Sequence, residues 1–575
     1  MKKYLIILLL FLPLRLFGQP YYIAPTGDDG NAGTTGDPWF NLAYAMNQCS
    51  AGDTVYAKSG TYAYDATQTV NVSGTVGNYI VLTSESGDPA DVVFDFWTYD
   101  MSGEAPQSIY GIYSVGDSYL KFEKFSIRRV WKINTDNGRA HAMFFQNDDY
   151  IDINWVVIDS IAGRGIIGYN TGTANITNCD ISWCADPQDT DPGNAGTGIL
   201  WYQTTASATD TVRVTGCRFW QCADQGVGML TGNVAIVDSC WSWDNDLNAE
   251  GYTFGSGIGF KPALGLDTDI DTLHVLIKHS ISVFNRSVGL NENTSSGGYK
   301  NNFHFYSNTV YGNGQLGIIA TEYTYDEDNV NRYHNNLVFN NTGHDMQIQE
   351  SATHSYNSFD EPYTTPTPSS VYMTSPVTVT TADFIAIPSD AAECTIVLGA
   401  VRDANGYLPD IGGYFHLAST SDLIDIGTVL VDDIGEMSYI GDAPDLGAFE
   451  WEESDPAVVP TVTTSVTFYS SVSANVVGNV IDDGGGAVSA RGICYSTSVN
   501  PTTSDFIVPS ASGTGIFSSW LYRLIASTTY YIRAYATNET GTSYGADVSF
   551  TTPATSPISS GGYIITDGSG NIIIE

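Results

Sequence analysis

Positive charge is scarce in this chain: 22 lysines and arginines stand against 63 aspartates and glutamates, a formal net charge of −41 over 575 residues. Such a field repels phosphate backbones and anionic membranes, so neither nucleic acid nor a lipid surface is expected as a partner. The 8 histidines show no metal or triad spacing, and neither a Gly-x-Ser-x-Gly elbow nor a phosphate-cradling Gly-rich lysine loop occurs. After the first 18 residues no apolar run is long enough to cross a bilayer as a helix. Cysteines number 8, but zinc knuckles need two to four residues between ligands and a second close pair, which is not found.

What is present is 58 glycines, 36 tyrosines and many short alternating runs, the composition of a turn-rich, all-β protein. The length exceeds one ordinary core, so it predicts several domains or an elongated repeat domain with an appendage. Acidic side chains also keep exported proteins soluble, a reading weighed here beside metal binding. Residues 1–18, with Lys2, Lys3, an apolar run and Pro13, read as a secretory signal peptide cleaved after Gly18. Removing Lys2, Lys3 and Arg15 takes the formal charge from −41 to −44, so the chain is expected to be secreted or held at the cell surface.

The repeat is the strongest signal. Asn178-Cys-Asp-Ile-Ser-Trp-Cys, Gly216-Cys-Arg-Phe-Trp-Gln-Cys, Ser239-Cys-Trp-Ser-Trp-Asp-Asn, His279-Ser-Ile-Ser-Val-Phe-Asn, Ser307-Asn-Thr-Val-Tyr-Gly-Asn and Asn335-Asn-Leu-Val-Phe-Asn-Asn align in register. Their starts lie 38, 23, 40, 28 and 28 residues apart, so a fixed strand and bend are joined by unequal loops. This predicts a right-handed parallel β-helix. The seventh position carries Cys184, Cys222, Asn245, Asn285, Asn313 and Asn341, an inward column satisfying the bends' polar groups. The cysteines are read as stacked buried thiols, with disulfides inside the stack as the alternative.

The helix is expected over 20–452, capped by a short helix from about Phe40 to Asn47. Leu408-Pro-Asp-Ile-Gly, Asp422-Leu-Ile-Asp-Ile-Gly and Ala443-Pro-Asp-Leu-Gly-Ala-Phe-Glu read as closing coils. Residues 453–459 form a linker, and 460–553 a small β-sandwich. There Tyr530, Ile532, Ala534 and Ala536 share a face, resembling the tyrosine corner of a fibronectin type III module. Residues 554–575 are a Gly/Ser tail with a hairpin-like pair of apolar runs.

Tyr21-Tyr-Ile-Ala-Pro, Gly52-Asp-Thr-Val-Tyr, Gly60-Thr-Tyr, Gly259-Phe-Lys and the stretch from Asp422-Leu-Ile-Asp-Ile-Gly to Asp445-Leu-Gly-Ala-Phe-Glu occur in order. Together they make Tyr21 to Trp451 resemble the pectate lyases of polysaccharide lyase family 9. The resemblance implies β-elimination on an acidic polysaccharide, with Lys261 as the base that removes the C5 proton and calcium, held by several aspartates, neutralising the carboxylate. An ordinary lysine titrates near ~10.4, so such a role requires desolvation or cationic neighbours. The alternative for Lys261 is an ion pair with Glu250 or Asp267.

The family's Asp-Asp-Gly-x-Asp cluster falls on Asp224-Gln225-Gly226-Val227-Gly228, where only the first acid survives, and a further expected aspartate is replaced in Gly196-Thr197-Gly198. Asp186, Asp189 and Asp191, in an inserted loop, are candidates to rebuild a calcium site with Asp224. Arg286 is a candidate clamp for a substrate carboxylate or the partner of a nearby acid. Asn291 and Asn293 either touch sugar hydroxyls or shape their turn, and Trp241 and Trp243 either stack sugars or pack in the core. A hydrolase would use two of Asp244, Asp246 and Glu250; Asn134-Thr-Asp lacks the companions of such enzymes. A non-catalytic carbohydrate-binding surface protein and an unliganded solenoid complete the alternatives, and the chain is read as a monomer.

Overall fold

The computed structural model describes residues 18–554, 565–566 and 572–573, apart from 98–108, 132–139, 186–195, 204–209, 232–233, 247–255, 265–274, 294–301, 322–330, 348–352, 356, 358–378, 451–457, 484–487, 539 and isolated positions between 404 and 442. Residues up to Trp451 form one compact unit and those from Glu452 a second. The first unit is a right-handed parallel β-helix of three sheets. Twelve strands from Pro20–Ile23 to Thr353–Ser355 make the first sheet, ten from Gly60–Ala63 to Leu337–Phe339 the second, and ten from Gln68–Val70 to His344–Gln347 the third.

Each aligned heptad is a bend, a three-residue strand of the second sheet and another bend. The first residue (Asn178, Gly216, Ser239, His279, Ser307, Asn335) and the sixth (Trp183, Gln221, Asp244, Phe284, Gly312, Asn340) all have φ between 47° and 65°. A left-handed L-residue costs about 1 kcal/mol or more, so every coil carries two unfavourable turns. Side chains beside them offset this cost. Asn245 donates to Asn285 at 2.7 Å, Asn285 to Asn313 at 3.0 Å and Asn313 to Asn341 at 2.9 Å. Each acceptor oxygen also takes the preceding coil's backbone N–H, as Asn245 does from Cys222 at 3.0 Å and Asn313 from Asn285 at 3.0 Å.

A second ladder runs through the heptads' second position, which sequence reasoning did not single out. Cys179, Cys217 and Cys240 continue into Ser280, Asn308, Asn336 and Asn357: Asn308 donates to Asn336 at 3.0 Å and Asn336 to Asn357 at 2.8 Å. All eight cysteines are free and buried, so thiols occupy the N-terminal rungs of columns that become asparagine. A third column, Gly165, Gly198, Gly226, Gly259, Gly289 and Gly317, opens the third-sheet strands, where a Cβ would come within 2.8 Å of the next coil's carbonyl.

The N-terminal cap is the helix Leu42–Asn47, with Asn41 as N-cap accepting from the Tyr44 N–H and Leu42, Ala43, Ala45 and Met46 buried on the first coils. The segment read as closing coils is instead a strap that runs back over the outer face of the second sheet. Phe384, Cys394, Leu398, Phe415, Leu417, Leu423 and Leu446 pack on Trp241, Trp243, Ile281, Val283, Tyr311, Leu337 and Phe339. Its apolar residues satisfy that exposed sheet face rather than extending the stack, which is why their short Asp-Ile-Gly runs imitate coils. Trp241 and Trp243 are therefore core. Arg402 on the strap reaches Asp180 at 2.7 Å, and Arg218 reaches the other carboxylate oxygen at 2.6 Å.

The second unit packs the sheet Thr461–Tyr469, Ser473–Asp482 and Gly515–Tyr522 with a five-stranded sheet centred on Ala490–Ser496 and Thr529–Thr537. The Tyr530 hydroxyl accepts from the Ile525 N–H at 3.0 Å, while Ile532, Ala534 and Ala536 are buried with it.

Asn285→Ala strips partners from two coils and is expected to cost about 3 kcal/mol, read as a lower denaturation midpoint than exposed Thr342→Ala gives; equal midpoints would make the ladder passive. Burial opposes ionisation of Asp180, yet the Arg218 and Arg402 guanidiniums hold its carboxyl below the usual range. A depressed folded pKa gives stability that is present above the unfolded value and lost as pH falls through the folded one. The strap is therefore expected to become protease-sensitive around Arg402 as pH drops below about 4, while unchanged cleavage between pH 5 and pH 2.5 would contradict the pairing.

Candidate functional site

The third sheet carries the site on its outer face, and glycines set it. Gly257, with φ of 58°, turns the chain into the strand Ile258–Leu264; a Cβ on it would lie 2.9 Å from those of Asp246 and Arg286. Gly259 has no room for a side chain, with Ser282 Oγ 2.0 Å and Asn285 Nδ2 2.9 Å from a Cβ position. Phe260 then points inward and is fully buried, so alternation along the strand turns Lys261 outward. Lys261 is half-buried, pairs in register with Gly228, and makes no hydrogen bond or ion pair among the described residues. Glu250 and Asp267, its alternative partners, lie outside the described residues.

Asp224 stands just before the neighbouring strand Gln225–Thr231 and is 6% exposed. Burial pushes its carboxyl above the usual range, opposed by the charge of Lys261, a hydrogen bond from Ser256 and the charge of Arg164. Thus two cations act on one carboxylate from either side. Asp224 Oδ1, Gln225 Oε1 and Thr197 Oγ1 are buried without a hydrogen-bond partner. Thr197 and Gln225 are register partners on adjacent strands, so the orphaned oxygens share one stretch of the sheet margin.

Of the other sequence-derived candidates, Asn291 lies one coil beyond Lys261: the register Phe260 to Leu290 sets the two side by side on the outer face, where Asn291 is half-buried. Asn293 pairs with Ala263 on the same strand. Arg286 lies at the sheet margin with its guanidinium on Asp246, whose side chain is fully buried while Arg286 is 46% exposed. The arginine is thus anchored yet solvent-facing. Asp246 is committed to that pair and Asp244 to the Gln221 amide at 3.1 Å, so these two carboxylates are structural. Asp186, Asp189, Asp191, Asn134 and Glu250 lie outside the described residues. Sequence reasoning missed Arg164 and Thr197; both precede the column glycine of their coils, as Gln225 does, and that offset was the available signal.

Calcium takes six to eight oxygens, several charged. Here one carboxylate is flanked by two neutral oxygens and two cations, and among the described residues no three acids, histidines or cysteines gather to hold a metal. Where the family's last aspartate would stand, a Cβ on Gly228 would meet Gln225 Nε2 at 2.2 Å; on Gly196 it would meet the Cys184 carbonyl at 2.3 Å. The donors among the described residues do not fit calcium.

Residues 21–348 match the family model described as the Pel9A-like, right-handed β-helix region. Pectate lyase L of Dickeya chrysanthemi is 27% identical over 441 residues, 75% of this chain and 90% of that protein. The crystal structure of pectate lyase Pel9A superposes with a TM-score of 0.58 at 23% identity, covering 76% of this chain and 97% of that one. A rhamnogalacturonan lyase gives 0.57 at 22% identity, covering 70% and 97%. These likenesses favour a polysaccharide lyase.

Gln225→Asp combined with Gly228→Asp places two further carboxylates beside Asp224, three in all. With ~10 mM calcium this variant is expected to melt about 3 °C higher, and the wild type unchanged. An equal shift in both would show that the wild-type donors already suffice.

Proposed function

The chain belongs to the Pel9A-like right-handed β-helix family, and we propose that it is an exported polysaccharide lyase cleaving a uronate-containing polymer such as pectate by β-elimination, with Lys261 as base. The observation that supports this most is the placement of Lys261. It projects from a rigid strand on the outer face, beside Gly228, which adds no side chain over the neighbouring strand.

In the proposed reaction the neutral Lys261 amine takes the C5 proton of a bound uronate. The electron pair delocalises into the C6 carboxylate, then forms the C4–C5 double bond as the C4–O bond breaks. The leaving oxygen is reprotonated from solvent, giving a 4,5-unsaturated sugar. A positioned base contributes roughly 10²–10⁴-fold, and cations near the developing enolate add to it. Arg286 on its Asp246 anchor is suited to a neighbouring sugar's carboxylate, and Asn291 with Asn293 to hydroxyls along the next coil. No step passes through calcium; Asp186, Asp189 and Asp191 remain the loop acids that would be needed for a metal. The Glu452–Glu575 unit is read as a fibronectin-like spacer or attachment module, and the whole as a monomeric extracellular protein.

The incomplete acidic cluster favours one rival, a surface protein that binds uronate polymers without cleaving them. Incubation with polygalacturonate, rhamnogalacturonan and alginate, followed by absorbance of the unsaturated product, separates the two. Product is expected from the wild type, with kcat reduced at least ~10³-fold in both Lys261→Ala and Lys261→Arg, because a guanidinium keeps the charge but does not deprotonate. Turnover surviving in Lys261→Arg would limit the residue to electrostatics; retardation of the polymers in affinity gels without product would select the binder.

A further inference from the structure

We infer that the second unit holds a binding site for an uncharged polysaccharide on the outer face of its three-stranded sheet, built on Phe468, Trp520 and Tyr522. The inference goes beyond the lyase reading and does not rest on it, since these residues all belong to the second unit. Alternation along Gly515–Tyr522 buries Phe517, Ser519 and Leu521 and turns Ser518, Trp520 and Tyr522 outward. Phe468 joins them through a shift of register. Val466 opposes Val476 on the core side, Thr467 is the extra residue, and Phe468 then opposes Asn475, which in turn opposes Trp520. Without the shift Phe468 would oppose Ala474, a core residue. The ring centroids of Phe468 and Trp520 lie 6.0 Å apart, and those of Trp520 and Tyr522 6.1 Å apart with planes 15° from parallel. The three residues are 53%, 44% and 65% exposed, a contiguous aromatic surface of the kind that marks a binding face.

What surrounds the rings selects the ligand. In a chain with 63 acids, residues 463–468, 473–479 and 516–522 of this sheet include no charged side chain. A uronate would find no cation among them to replace the water its carboxylate gives up, so the face is not a second version of the site around Lys261. The outward neighbours of the rings are instead Thr463, Ser465, Ser473, Asn475, Asn479 and Ser518, which offer hydroxyls and amides. A neutral pyranose has an apolar C–H face and a rim of hydroxyls. The aromatic rings match the first and the small polar groups the second. Thr467 Oγ1 donates to Asn475 Oδ1 at 2.7 Å, which fixes the amide and leaves its Nδ2 without an acceptor among the described residues. That N–H group is a ready donor to a sugar oxygen. A second copy of this chain is the competing occupant, but two chains of −41 repel one another.

The test is affinity electrophoresis of the full chain through gels holding hydroxyethyl cellulose, galactan or glucomannan, all uncharged, beside a gel holding polygalacturonate. Retardation is expected in at least one of the neutral gels, and Trp520→Ala is expected to weaken it about tenfold. The same substitution should leave the melting midpoint, the mobility in polygalacturonate and the release of unsaturated product as they are. If Trp520→Ala fails to fold, Tyr522→Ala removes the most exposed ring and is expected to weaken the neutral binding about fivefold. Normal mobility in all three neutral gels, or retardation that survives both substitutions, overturns the inference while leaving the lyase reading intact. A dimer in sedimentation equilibrium that Trp520→Ala dissociates also overturns it and assigns the face to a second copy. Retardation that depends on Trp520 in a neutral gel, without unsaturated product from polygalacturonate, upholds it and counts against the lyase reading alone.

Discussion

Everything on the outer face depends on how the coils are held at their bends. A β-helix coil turns twice beside each second-sheet strand, and here both turns use a left-handed residue that is usually not glycine. The ladder side chains remove this penalty in two ways. They satisfy backbone N–H groups that the bend would bury, and they link each coil to the next through a donor and an acceptor on one amide. The amides of the asparagine rungs fix register as well as stability, because slipping by one residue would break the whole column. Register in turn decides that Phe260 faces the core and Lys261 the outside. The cysteine rungs do the same packing with a weaker hydrogen-bonding group, so the N-terminal part of the ladder relies more on burial.

The electrostatics of the outer face run against those of the whole chain. At −41 overall, the mean field repels a polyuronate at long range. Salt screens that repulsion beyond about 10 Å at 0.1 M, but contacts between buried or half-buried partners are screened far less. Recognition of the polymer proposed above must then come from a few cations held close to it. Arg286, anchored on the buried carboxylate of Asp246, and Lys261, whose charge acts on Asp224, are such cations.

Much of this was legible in the sequence because coils repeat. Aligning six heptads gave the solenoid and the Asn245 to Asn341 column, and the Gly-Phe-Lys run marked Lys261. The capping helix and the Tyr530 corner were legible too, since both rest on local spacing. What was hidden depends on contacts across unequal loops. Arg164 and Thr197 approach Asp224 only once their coils are stacked, and loops between heptads varying in length by many residues conceal that neighbourhood. The strap was misread for a related reason: Asp-Ile-Gly runs look alike whether their apolar residue enters a coil or covers a sheet from outside. Arg402 to Asp180, 222 residues apart, is a contact no local pattern announces.

Two departures from the family's acidic cluster turn out to be one physical change. Gly228 leaves a space on the outer face, and the Gln225 amide folds into it, so that a Cβ on Gly228 would stand 2.2 Å from Gln225 Nε2. A carboxylate restored at position 228 alone would have to displace that amide. A carboxylate restored at 225 alone would be shorter by a methylene and would leave the space over Gly228 open beside Lys261. Neither single reversion returns a cation site, whereas the pair as it stands places a neutral amide near the lysine, where an acid would hold its proton more tightly. A base that must be neutral to act, the role proposed for Lys261, is better served by a neighbouring amide than by a neighbouring carboxylate.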